Sequence, residues 1–202
     1  AKERERGSFC FYTQELNALV NERMALDNRL RAAVKGSEFQ VYFQPQWALL
    51  DGRLTGLEAL VRWQCDGGFI SPARFIPIAE ENGQIVALGA WILEEACREA
   101  TRWRAQGYPL TIAVNVSPVQ IRRDDLPGRV RQVLRKTGLP AEALELEITE
   151  SLMMGEDTQV LETLAALKSI GLKLAIDDFG TGYSNLAYLK RFNVDRLKID
   201  QS

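Results

Sequence analysis

Apolar residues recur at spacings near three and four over residues 11–35: Leu16, Leu19, Val20, Met24, Leu26, Leu30 and Val34, with Arg and Glu in most of the gaps. An apolar stripe on a polar cylinder predicts a helix, and Gly36-Ser37 ends it. Two readings stand for it: a surface helix packed on the domain that follows, or a linker or dimerising helix from an upstream domain. From Glu38 onward the period changes. Short β-type runs fall at Phe39–Gln44, Leu57–Trp63, Thr111–Val116, Leu144–Thr149, Lys173–Phe179 and Arg196–Asp200. Between most of them lie helical stretches. Phe75–Asn82 carries an apolar stripe behind Ser71-Pro72, a good helix start. Trp91–Gln106, Val130–Thr137 and Thr158–Ile170 stop at Gly107, Gly138 and Gly171. Strands alternating with helices imply right-handed βαβ units and a parallel sheet. The later strands begin about 30 residues apart, the spacing of a (β/α)8 barrel of about 250 residues. Six strands are visible, so two further units would be needed to close one. The glycine fingerprint of a dinucleotide-binding sheet is missing after the early strands.

Composition narrows the chemistry. The chain has 202 residues, 46% of them hydrophobic and 26% charged, enough for one substantial core. A net charge of −2 argues against a binder of nucleic acid polymers. No apolar run approaches the ~18 residues that span a bilayer. The charged start, Ala1-Lys2-Glu3-Arg4-Glu5-Arg6, lacks the apolar stretch of a signal peptide and reads as a cut inside a longer protein. Cys10, Cys65 and Cys97 fit neither a zinc site nor a disulfide framework, so a reducing, cytoplasmic setting is expected. The chain contains no histidine. That removes Ser-His-Asp triads, His-ligated zinc and His general bases together. A metal here must be held by oxygen, which favours Mg²⁺ or Mn²⁺.

Polar residues interrupt the apolar strands at telling places: Glu58 on the second run, Asn115 on the third, Glu147 on the fourth, Asp177 and Asp178 on the fifth, Lys198 and Asp200 on the sixth. Several fall near the C-terminal strand ends, the mouth where barrel active sites form. A buried carboxylate without a partner costs several kcal/mol (about 3–5). Carboxylates that converge repel one another unless a cation sits among them, and a divalent ion is the simplest such cation. Asp177 and Asp178 point to opposite faces if the strand runs straight, but a turning strand end lets both reach the mouth. One could then bridge two ions that clamp the attacking and leaving oxygens of an in-line displacement. Near such ions the pKa of Lys198 is expected to fall, so that it orients or deprotonates the attacking water; an ion pair with Asp200 or Asp178 is the plainer reading. Gly180 and Gly182 suggest either a mobile loop beside the ligands or an ordinary βα turn. Arg62, four residues after Glu58 on the same strand face, fits either a phosphate clamp or a salt bridge at the barrel end.

The residues around these positions resemble a known family. Glu58-Ala59-Leu60 matches the triplet that names the EAL domain. Tyr42-Phe43-Gln44-Pro45, Ser71-Pro72-Ala73-Arg74-Phe75-Ile76-Pro77, Val114-Asn115-Val116-Ser117, Glu145–Ser151, Asp177–Ser184 and Leu197–Asp200 resemble its other motifs in order, over about residues 38–202. The resemblance implies a TIM-like (β/α)8 barrel with an irregular first strand. It also implies a phosphodiesterase that opens cyclic di-GMP to linear pGpG with Mg²⁺ or Mn²⁺, two ions being expected. By motif position it makes Glu58, Asn115, Glu147 and Asp177 metal ligands and Asp178 a ligand of the second ion. Lys198 becomes the lysine that works on the catalytic water. Glu150 becomes the glutamate that steadies the loop from Asp177 to Leu186. Gln44, Arg62 and Asp200 resemble substrate-contacting or supporting positions. The family pattern has a further glutamate and glutamine at motif positions that would fall after Ser202, so the site is expected to be incomplete here. The alternative function is an EAL-like receptor that binds cyclic di-GMP without cutting it; such members usually lose ligands that this chain keeps.

Phe9–Asn17 resembles the tail of a GGDEF domain and the helix that joins it to an EAL domain. The expected organisation is therefore a linker helix over 1–36, an EAL phosphodiesterase domain over 37–202, a fused upstream GGDEF or sensory domain, and a homodimer.

Overall fold

A computed structural model describes residues 14–34, 36, 38–65, 67–150, 152, 157–180 and 193–200. The predicted first helix is α1 (Gln14–Ala33). Of its apolar stripe, Leu30 is fully buried and Leu26 and Val34 pack partly against the core, whereas Met24 faces solvent. The side chains of Leu16, Leu19 and Val20 lie outside the described residues, as does Cys10. α1 lies on the next helix through an Asn82–Asp27 hydrogen bond and an Arg23–Glu81 ion pair.

The chain then forms a hairpin, β1 (Phe39–Trp47) and β2 (Leu54–Cys65), extended by a short β3 (Gly68–Ile70). α2 (Pro72–Asn82) and α3 (Gln84–Ala105) follow, then β4 (Thr111–Val116), α4 (Pro118–Arg123) and α5 (Leu126–Thr137). The rest is β5 (Leu144–Thr149), α6 (Thr158–Ile170), β6 (Lys173–Phe179) and β7 (Arg196–Ile199). All seven strands form one sheet in the order β1-β2-β4-β5-β6-β7, with β3 on β2. β1 runs antiparallel to β2, and every pairing from β2–β4 onward along that path is parallel. The six expected strands are all present. β3 was not expected, because three residues are too few to show a period. α4 was missed for the same reason, although Ser117 and Gln120 cap it reciprocally in a capping box. α3 begins seven residues before the predicted Trp91, directly after Gly83, whose φ of 79° ends α2.

Side chains alternate cleanly on β1 and β2. Phe39, Ala59, Val61 and Trp63 face the helices, where Trp63 meets Phe75 edge-on at 5.4 Å. Gln44, Gln46, Glu58 and Arg62 face the opposite side. On α3 the buried residues Ile85, Leu88, Ile92, Leu93, Ala96 and Ala100 keep a helical period. Gly89 belongs to that face: a Cβ there would lie 2.2 Å from Nε2 of the buried Gln120, so glycine leaves the room that the Gln120 amide fills. Among the described residues the sheet is open, yet it curls strongly. Arg196 of the last strand donates to Gln46 of the first at 3.1 Å, so the polar face becomes the concave interior.

Candidate active site

Strand register decides which polar residues meet. Glu58 pairs with Ala113, Asn115 with Glu147, and Thr149 with Asp177. The polar positions therefore climb the sheet from strand to strand. Strand tilt in a curled sheet brings such a staggered row to one height. Single carboxylate oxygens of Glu58, Glu147 and Asp177 all lie within 4.8 Å of one another. Asn115 Nδ2 donates to Glu58 Oε1 at 2.8 Å. Gln44 sits directly opposite Glu58 across the hairpin.

Lys198 occupies the centre of the cluster. Its Nζ donates to Glu147 Oε2 at 2.7 Å and to Glu58 Oε2 at 3.1 Å, and lies 3.1 Å from Asp177 Oδ2. The plainer reading of Lys198 named Asp200 or Asp178 as its partner; these three carboxylates hold it, and its charge also acts on Asp178. Among the carboxylates alone, the balance on the Lys198 pKa runs the other way from the fall expected beside bound ions. Burial alone would lower it, but the hydrogen bond to Glu147 and the charges of Glu147, Glu58 and Asp177 outweigh burial and hold the ammonium well above its ordinary range. One ammonium among three carboxylates still leaves excess negative charge. Glu147 carries the consequence: burial foremost, opposed by the Lys198 hydrogen bond and reinforced by Glu58 and Asp177, pushes it up to about 7. Its Oε1 is buried with no hydrogen-bond partner among the described residues.

The Asp177-Asp178 pair is resolved by a bulge. Ile176 pairs with Leu197 and Phe179 with Ile199, so two residues of β6 stand opposite Lys198 alone. Asp178 takes φ of 55°, in the left-handed region that aspartate tolerates better than most. Asp177 thereby stays on the concave face and Phe179 packs toward the core. Asp178 stands outside the three-oxygen cluster. Burial, then the charges of Asp177 and Asp200, push its pKa upward. Glu150, buried at the end of β5, accepts a hydrogen bond from the Gly180 N–H at 3.1 Å, two residues beyond Asp178. The remainder of the expected loop, from Thr181 to Leu186, lies outside the described residues. Arg62 stands on the same face: its Nη1 donates to the Val61 carbonyl at 3.0 Å, and its guanidinium lies 5.7 Å from the Tyr42 ring centre. The Asp200 backbone N–H donates to the Phe179 carbonyl at 3.4 Å, so Asp200 borders the bulge.

The donors fit a hard divalent cation. They are all oxygen, they converge, and one buried oxygen has no partner among the described residues. Glu58, Glu147 and Asp177 would hold it, with the Asn115 amide beside them.

Residues 27–202 match the family model described as EAL domain. The chain belongs to the EAL domain family. Relatives agree with the match. A Caulobacter vibrioides protein named as a signaling protein is 45% identical over 203 residues, covering 100% of this chain and 25% of that protein. The Escherichia coli protein named cyclic di-GMP phosphodiesterase PdeR is 39% identical over 204 residues, covering 100% of this chain and 30% of that protein. Among solved structures, the MucR phosphodiesterase in complex with c-di-GMP superposes with a TM-score of 0.83 at 40% identity, over 87% of this chain and 72% of that one. The curled sheet is thus part of a TIM-barrel-like EAL fold, as expected. The chain spans a quarter to 30% of the length of these curated relatives. No described helix of this EAL domain is long and apolar enough to cross a membrane.

Two interior residues escaped the sequence reading. Glu145 is fully buried and accepts from Arg196 Nη1 at 3.0 Å. Both sit two residues before an expected site residue on the same strand face, which is the signal that marks them.

Proposed function

We propose that this EAL domain is a metal-dependent phosphodiesterase that hydrolyses cyclic di-GMP to linear pGpG. The observation that carries the reading is the convergence of Glu58, Glu147 and Asp177 on the concave face, with Glu147 Oε1 lacking a hydrogen-bond partner among the described residues. Glu58, Asn115, Glu147 and Asp177 hold a first Mg²⁺ or Mn²⁺, and Asp178 contributes to a second. Bound there, the ions lower the pKa of water and offset charge building on the phosphoryl oxygens. The product pGpG keeps its phosphate on a 5′ oxygen. Water oxygen therefore forms the new bond to phosphorus, and the bond to the 3′ oxygen breaks, that oxygen leaving with a proton.

The chain's own groups position this exchange. Lys198, held among three carboxylates, orients or deprotonates the attacking water. Glu150 fixes the backbone at Gly180 and so the turn that carries Asp178. Gln44, Arg62 and Asp200 would contact or support the substrate, Arg62 offering a planar fork to a phosphate. We further propose that residues 37–202 form this domain, joined through 1–36 to an upstream GGDEF or sensory domain, in a cytoplasmic, homodimeric signalling protein.

Thermal unfolding with Mn²⁺ tests the reading without turnover. Millimolar Mn²⁺ is expected to raise the Tm of the protein by several degrees and that of Glu58→Ala by much less. Equal stabilisation of both would show that the cluster is not where the ion binds.

A further inference from the structure

Below the acid cluster lies a second polar layer that nothing in the proposed chemistry uses. In a barrel, side chains from alternate strands stack in layers, and bulky apolar residues usually fill them. Glu58, Glu147 and Lys198, from β2, β5 and β7, make one such layer. Glu145 and Arg196 lie beneath, two residues earlier on β5 and β7. On β2 the matching position is Gly56. A Cβ there would lie 2.8 Å from the Thr111 carbonyl oxygen and 3.2 Å from Gln46 Oε1. With no side chain in the way, Gln46 reaches over Gly56 from β1. One nitrogen, Arg196 Nη1, then donates to Gln46 Oε1 at 3.1 Å and to Glu145 Oε1 at 3.0 Å.

This layer does what the backbone cannot. β7 is four residues long and is paired to β6 at only Arg196, Leu197 and Ile199, with the bulge opposite Lys198. At the one residue whose position matters most, the ladder is broken. Arg196 supplies two side-chain ties to other strands immediately below. Glu145, the anchor on β5, is fully buried, and its Oε2 has no hydrogen-bond partner among the described residues. Keeping such a group in the interior costs stability, and an apolar layer would not carry that cost.

We propose that Arg196, gripped by Gln46 and Glu145, is a positioning residue that sets where Lys198 stands among the carboxylates. The inference rests on the proposed role of Lys198 in hydrolysis, but its test does not depend on turnover alone. The ammonium protons of Lys198, held by three carboxylates and only partly exposed, are expected to exchange slowly enough to give a ¹H–¹⁵N signal, assigned by its loss in Lys198→Met. In Arg196→Leu that signal is expected to broaden beyond detection while the backbone amide spectrum of the strands persists. Turnover of cyclic di-GMP is expected to fall at least tenfold in kcat, with KM changed less than twofold. Arg196→Lys restores the signal in part. In the double variant Arg196→Leu/Glu145→Leu, an apolar layer restores Tm and leaves kcat low. The positioning role is overturned if the Lys198 signal survives in Arg196→Leu, or if kcat follows Tm through the whole set, which would make the layer merely structural. Absent turnover in the unaltered protein would overturn the proposed function and leave the spectroscopic result to decide this inference.

Discussion

Lys198 Nζ stands 2.7 Å from Glu147 Oε2, tying β7 to β5 across the intervening β6. Lys198→Met removes the only cation described in contact with three converging carboxylates. Removing one partner of a buried ion pair costs about 3–5 kcal/mol, and the partial exposure of Lys198 puts this case at or below the lower figure. Urea unfolding in EDTA is expected to show that loss, and added Mn²⁺ to recover most of it. Loss of the orienting donor is expected to lower kcat by about 10²–10⁴.

Glu150→Ala leaves the Gly180 N–H without its carboxylate acceptor. A lost hydrogen bond to a charged group costs about 1.5–3 kcal/mol. Hydrogen exchange at Asp178, Phe179 and Gly180 should accelerate while β4 and β5 stay protected. Glu150→Gln, which keeps an acceptor oxygen, should exchange more slowly than the alanine variant.

The parts of this molecule that were legible in the sequence are those that repeat. Trp63 and Ala59 alternate with Glu58 and Arg62, so strand and face followed from period two. The acids were visible because each breaks an apolar run. The contact of Lys198 with Asp177 was not legible, since it depends on a bulge that sets Asp177 and Asp178 together against one residue of β7. Register across strands is a tertiary property, and no local pattern near Asp177 encodes it. Arg196 and Glu145 were missed for a related reason: each looks like an ordinary strand charge until curvature brings β7 back over β1.

Gly89 and Gln120 form a couple that a stability cycle can measure. Gly89→Ala places a Cβ against the Gln120 amide, and overpacking of this kind costs about 1–3 kcal/mol. Gln120→Ala removes the obstacle along with half of the α4 capping box. The double variant is expected to be more stable than the sum of the two single losses, with a coupling near 1 kcal/mol or more. Additive losses would mean the two side chains do not compete for the same space.

Asp195 anchors the start of β7 by accepting from Lys168 Nζ at 2.7 Å and from the Leu174 N–H at 2.7 Å. Burial pushes its pKa up, but these bonds and the charges of Lys168 and Lys173 outweigh it, and the net shift is downward. A carboxylate with a depressed folded pKa stabilises above its unfolded value, about 3.9, and loses that contribution as pH falls through the lower folded value. Asp195→Asn is therefore expected to be less stable than the parent at pH 6, with the difference shrinking below about pH 4. Tm measured across pH 3–7 (roughly one unit below the unfolded pKa to three above) checks this.

Product analysis tests the central claim most directly. The protein carrying this domain, incubated with cyclic di-GMP and Mn²⁺, is expected to accumulate linear pGpG on chromatography, and neither Glu58→Ala nor Asp177→Ala to form it. Saturable binding of cyclic di-GMP with no pGpG in either Mg²⁺ or Mn²⁺ would contradict the account and make the domain a receptor.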